Sequence, residues 1–264
     1  MSDDLSKEPL IKSLREGIDQ ANVDVHGLEQ AAKTIAASPQ RVHAMLTGLV
    51  SDESCLSMVA SNAYQHPNGF AKFVLHNSAD SLVRLRLHVW TGDASQRIKQ
   101  DEQNIHGHRW NFASAVIAGQ RLRIDEYIPV ESGGMSYLSY RYIPQHRTLA
   151  VEDGDAELPV DRSELEAAGC ARLDHSVGYS LGAGDSYSCD ISKLHTVRTG
   201  HDGLVATLVV QGPALLTDAP VYRRAGLPYQ TSPRPIGIAE ARSIITATAR
   251  EVADGTSAYP DVNR

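Results

Sequence analysis

The sequence predicts an all-β core, a sandwich or closed barrel, with helices before and after it in the chain. Three observations carry this. Between about residues 68 and 213, short runs rich in Val, Ile, Leu and Tyr recur between Gly, Asp, Asn and Pro, the pattern of repeated short strands. Before residue 60 the apolar residues recur at helical spacing instead. After Pro213 a Pro-rich stretch gives way to IAEARSIITATAREVADG, whose Ala and Glu suit a surface helix packed by one face. The expected division is a helical extension over 1–60, a β-barrel over 61–213, and a C-terminal loop and helix over 214–264 packed on the barrel.

Taken in order, LIKSLREGIDQ places Leu10, Ile11, Leu14 and Ile18 on one helical stripe. LEQAAKTIAASPQRVHAMLTG reads as two short helices broken at Ser38-Pro39, because proline disfavours helical backbone in the residue before it. The pair has the outline of a helix-turn-helix unit, but basic residues are sparse, and a helical cap on the next region is the expected role. The expected strands are AKFVLHN, SLVRLRLHVW, ASAVIAG, QRLRIDEYIPV, GMSYLSYRYIP, RTLAVED, GYSLGAG and LVATLVVQGP. Gly119 in AVIAGQ marks a hairpin turn, and LTDAPVYRRAGLPYQTSPRPIG is expected to be loop.

Composition narrows the function. At 264 residues, 42% hydrophobic and 22% charged, the chain can bury a sizeable core and is not disordered in general. A net charge of -7 argues against a broad nucleic-acid surface, which needs clustered Lys and Arg. No apolar run is long enough for a membrane span, and MSDDLSKEPL lacks the features of a secretory signal, so a cytoplasmic protein is expected. Cys55, Cys170 and Cys189 are too scattered for a disulfide framework or a zinc cluster. Each is expected as a small buried or half-buried thiol.

NIHGHRWNF sets His106 and His108 one residue apart. Alternate residues of a strand point to one side, so both imidazoles can face one point and ligate one metal ion. A pair of hydrogen-bonded surface histidines would read the same way. Downstream, GDSYSCDISKLH carries Gly184, Asp190 in a turn and His195.

Here the sequence resembles the cupin superfamily. Gly184 to His195 fits the spacing of the second cupin motif, with Asp190 and Ser192 in place of its usual Pro and Gly. His106, His108 and Gly119 fit the first motif, with Gly92 as its opening glycine after an insertion, and Phe112 stands where that motif usually has Glu. The resemblance implies a double-stranded β-helix, or jelly-roll barrel, holding a metal on His106, His108 and His195. Three neutral imidazoles with open positions suit Fe(II), with Zn, Ni or Mn as alternatives.

Among cupins the three-histidine pattern resembles the thiol dioxygenases, cysteine dioxygenase above all, over about residues 60 to 213 at low identity. Those enzymes often carry Ser-x-His-x-Tyr on the strand after the third histidine. Counted back from Pro213, this chain offers Ala206, Leu208 and Val210 there. The resemblance thus implies a mononuclear non-haem Fe(II) oxygenase acting on a small polar substrate of the amino-acid or thiol-acid class. Its partners would be that substrate and oxygen, and a homodimer is compatible with it.

In VRLRLHVW, Arg84, Arg86, His88 and Trp90 share one strand face. If that face is the barrel interior, Arg84 or Arg86 can clamp a carboxylate in bidentate fashion; otherwise it is simply solvated. Tyr137 and Tyr140 belong on opposite faces, so at most one, taken as Tyr140, reaches the site. Tyr64, His66 and Asn68 lie in a loop that can cover the barrel mouth, while Arg198 and His201 read as surface charges. Two competing functions remain: a ligand-binding or regulatory cupin without redox chemistry, and a metal-dependent isomerase or lyase.

Overall fold

Asp24 opens the first described helix, its Oδ1 accepting the Gly27 N–H at 2.8 Å. In this computed structural model, residues 24–77, 83–93, 103–144, 164–200, 203–226 and 233–257 are described. Helix α1 (Val25–Ala36) buries Leu28, Ala31, Ala32 and Ile35 on one face. Pro39 then starts α2 (Pro39–Ser51), as the Ser38-Pro39 break predicts, and Asp52 caps α3 (Glu53–Ser61) through Cys55 N at 3.0 Å. The expected helix in LIKSLREGIDQ lies outside the described residues.

The strands are β1 (Tyr64–His66), β2 (Phe70–Asn77), β3 (Arg84–Trp90), β4 (Ile105–His106), β5 (Phe112–Ala118), β6 (Leu122–Pro129), β7 (Met135–Ile143), β8 (Glu164–Leu181), β9 (Ser186–Cys189), β10 (Leu194–Thr199), β11 (Val205–Gln211), β12 (Ala219–Arg223) and β13 (Arg234–Pro235). Helix α4 (Ile238–Ser257) follows. The strands form two antiparallel sheets. One has the order β13-β1-β2-β3-β11-β5-β9, and in the other β10-β4-β12-β7-β8-β6 closes on itself.

Several elements differ from expectation. Tyr64–His66, expected in a loop, form β1, and β9, β10 and β13 lie outside the expected strands. The stretch after Pro213 is not loop throughout, since APVYR forms β12 between β4 and β7. GYSLGAG is not a short strand of its own: GYSL is the end of an 18-residue β8, which pairs first with β7 and then with β6. RTLAVED lies outside the described residues.

Period-2 alternation decides which side chains meet. On the seven-stranded sheet, Phe73, Leu85, Leu87, Val89, Ala206, Leu208 and Val210 join one core with the buried faces of the helices. Their alternates Phe70, Trp90, Val116 and Val205 pack against Leu122, Ile124 and Val197 of the other sheet. His106, His195 and Arg86 sit on these inner faces, while the helices cover an outer one. A third cluster, Ile105, Tyr137, Leu173 and Leu194, fills the far face of the closed sheet. Among the described residues no helix is long and apolar enough to cross a membrane.

Gly119 makes the expected turn between β5 and β6. Its φ is +82°, and an added Cβ would collide with the Leu204 carbonyl oxygen and lie 2.9 Å from the Val205 Cα. A left-handed L-residue costs about 1–2 kcal/mol, and overpacking against backbone adds about as much. Gly119→Ala is therefore expected to lower the urea unfolding free energy by about 2–4 kcal/mol.

Candidate metal centre

A turn at Asp190 delivers β10. Asp190 Oδ1 accepts the Ser192 backbone N–H at 2.7 Å as well as its hydroxyl, and Asp190 O accepts the Lys193 N–H at 3.2 Å. The aspartate thereby closes a tight turn ahead of β10, with Asp190 and Ser192 at the positions where the sequence resemblance expects Pro and Gly. His195 emerges opposite His106 of β4, so the two imidazoles share a face.

His108 arrives differently from the sequence expectation. Strand β4 ends at His106, and His108 follows Gly107, whose N–H bonds to the Pro220 carbonyl at 2.9 Å. A Cβ on Gly107 would stand 2.9 Å from Pro220 Cγ, so the glycine lets the chain pass β12 closely. The three rings nevertheless converge. Their centroids are 5.0 Å (His106–His108), 4.9 Å (His106–His195) and 5.0 Å (His108–His195) apart. One nitrogen from each lies within 4.8 Å of the other two.

The donor set fits a metal ion. Burial pushes His106 below its ordinary pKa, and His108 and His195 well below it, so all three are neutral at pH 7 with lone pairs to offer. His106 Nδ1 lies 3.0 Å from the Asn104 carbonyl, which can only accept, so the ring hydrogen sits on Nδ1 and Nε2 is left for a metal. His108 Nε2 and His195 Nε2 are 2.9 Å apart and share a hydrogen bond. Two imidazole nitrogens about 2.1 Å from one ion stand about 3.0 Å apart at right angles, so this pair is already at ligand spacing.

Around the centre, Phe112 is buried where the cupin pattern has Glu, its ring 4.8 Å from His108 and 6.0 Å from His195. Trp110 lies 5.9 Å from His108, and the Arg86 guanidinium stacks 5.3 Å from its ring centroid. Arg86 is 8% exposed on the inner face of β3, its Nε has no partner, and burial pulls its pKa down to about 10. Arg84 shares that parity but is exposed at the strand start, where its Nε donates to Asn77 Oδ1 at 2.9 Å. Tyr140 is half-buried one strand away from His106, with Val221 between them in register and the Arg223 guanidinium 5.8 Å from its ring centroid. Tyr137 is buried in the cluster on the far face.

Ala206, Leu208 and Val210 pack on the helices, so the β11 residues that face inward are Thr207, Val209 and Gln211, opposite His88, Arg86 and Arg84. Cys189 is buried, with a thiol pushed up to about 12 by burial, and is no nucleophile. Cys170 is exposed rather than buried or half-buried. Arg198 is a surface charge paired with Asp125 at 3.1 Å, and His201 lies outside the described residues.

Sequence reasoning passes over Glu126. It stands opposite His195 in register, and its Oε1 accepts from Tyr179 Oη at 3.1 Å and Lys193 Nζ at 3.3 Å. The available signal is a carboxylate sharing strand parity with the apolar Leu122 and Ile124.

No protein-family model matches the chain, and no curated protein does. A solved structure described as "Crystal structures of DMSP lyases RdDddP and RnDddQII" is similar over 57% of this chain and 51% of that chain. Its identity is 14% and its TM-score 0.29. The chain spans about half the length of that protein, and a likeness this slight says nothing about substrate or reaction here.

Proposed function

We propose that the chain is a cupin oxygenase in which His106, His108 and His195 hold one Fe(II) ion and Arg86 binds the carboxylate of a small substrate. The convergence of three neutral imidazoles carries this reading. A ferrous ion held by three imidazoles supplies redox chemistry toward oxygen and keeps open positions beside its ligands. The chain's own residues do the rest. Arg86, fixed by burial and by stacking on Trp110, orients the carboxylate. Phe112 and Trp110 exclude water on the His108 side.

One observation favours a second reading. Glu126, gripped by Lys193 and Tyr179 on the strand position opposite His195, is a proton acceptor suited to a metal-dependent lyase or isomerase.

An oxygen electrode separates the two. Iron-loaded protein given small carboxylic and thiol acids consumes oxygen if it is an oxygenase, and zinc-loaded protein does not, because zinc has no redox chemistry. Anaerobic turnover of the same acids establishes the lyase or isomerase instead, and neither activity leaves a binding protein. Arg86→Met is expected to raise KM about 10- to 100-fold, the scale of a charge-assisted hydrogen bond, with metal content unchanged.

A further inference from the structure

The inner face of the seven-stranded sheet carries a second cationic side chain, Lys72, one row from Arg86. Strand register lays its side chains in rows. Tyr64, Lys72, His88 and Thr207 face one another across β1, β2, β3 and β11, and the neighbouring row holds Val74, Arg86 and Val209. Residues opposite one another in antiparallel pairs share a face, so the Lys72 row lies beside Arg86. The two rows are two residues apart along β3, about 6.7 Å.

Three features suit this wall to an anion. Arg86 is more than nine-tenths buried with Nε unpartnered, while the carboxylates of Asp125, Glu126 and Glu240 are engaged by other cations. Lys72 Nζ donates to Tyr64 Oη at 2.7 Å, which fixes the ammonium on the inner face. His66, whose Nδ1 accepts the Asn68 N–H at 3.1 Å, keeps its ring hydrogen on Nε2 as a further donor. Beyond burial, Lys72 and Arg86 both push the pKa values of His66 and His88 down, and among the described residues no carboxylate acts on either ring.

We propose that this inner face takes a small organic dianion, an open-chain dicarboxylate of about four or five carbons, with one acid group at Arg86 and the other at Lys72 and Tyr64. This rests on Arg86 as the carboxylate clamp and deepens the reading above by naming the substrate class. It does not rest on the metal.

Calorimetric titration of metal-free protein with succinate, glutarate and butanoate, at constant ionic strength, tests it. At least one diacid is expected to bind about tenfold or more tighter than butanoate. Lys72→Met removes that preference while leaving butanoate affinity as it was, Lys72→Arg retains most of it, and Tyr64→Phe lowers diacid affinity several-fold. Equal binding of diacids and butanoate to the wild type overturns the proposal. So does absence of diacid binding, or a Lys72→Met protein with undiminished preference. If Lys72→Met fails to fold, the wild-type comparison and Tyr64→Phe still decide. Metal analysis of the untreated protein is read separately, so loss of the iron reading and loss of the dianion reading give different results.

Discussion

Replacing His195 by alanine is expected to lower metal affinity by more than about a hundredfold, because groups that merely hydrogen-bond to a metal's ligands already contribute about 10- to 100-fold. Wild-type protein purified without chelators should carry close to one equivalent of a first-row metal per chain. His195→Ala should carry almost none. The geometry makes His195 the most telling of the three. It is 3% exposed, lies across from His106 in the strand register, and its Nε2 is 2.9 Å from His108 Nε2. Its removal therefore leaves two imidazoles with a gap between them and no described carboxylate in the cluster. Elemental analysis, together with competition against a coloured chelator, measures the change. A variant that keeps a full equivalent of tightly held metal would show that the cluster is not the metal site.

The His106, His108 and His195 set is legible through motif spacing, and the wall beside it through periodicity. VRLRLHVW alternates strictly, and the structure turns Leu85, Leu87 and Val89 to the helices and Arg86, His88 and Trp90 to the opposite face. What alternation does not contain is where a strand begins. Arg84 and Arg86 have the same parity, yet only Arg86 is covered by neighbours, because Arg84 is the first residue of β3.

The inward set of β11 is hidden from the sequence for a related reason. Counting back from Pro213 selects Ala206, Leu208 and Val210, and a shift of one residue exchanges every inward and outward side chain. The small apolar residues belong to the helix-covered face, and the register with Arg86 and His88 shows this directly. Strand β12 escapes notice because Pro220 interrupts a five-residue segment. Glu126 escapes because its significance arises only when β10 is laid beside β6, placing it opposite a histidine distant in sequence.

Acid is expected to unfold the metal-free protein well before its carboxylates protonate. His66, His88, His108 and His195 are held well below the ordinary histidine pKa, and His106 below it, chiefly by burial. In the unfolded chain each titrates near about 6.5. Below about pH 6.5 the unfolded state therefore binds more protons than the folded one, and stability falls as the pH falls. Each unmatched proton contributes a slope of about 1.4 kcal/mol per pH unit, so two already remove about 3 kcal/mol per unit, a large share of a domain's stability. Asp125 and Glu240, whose pKa values are lowered, act in a separate window below about pH 4. Urea unfolding of chelator-treated protein from about pH 7.5 to 5 measures the slope. A bound metal competes with protons for three of these imidazoles, His106, His108 and His195, so metal-loaded protein should hold its midpoint to lower pH. A midpoint that stays flat from about pH 7 to 5.5 in the metal-free protein would mean that these rings are not buried as neutral groups.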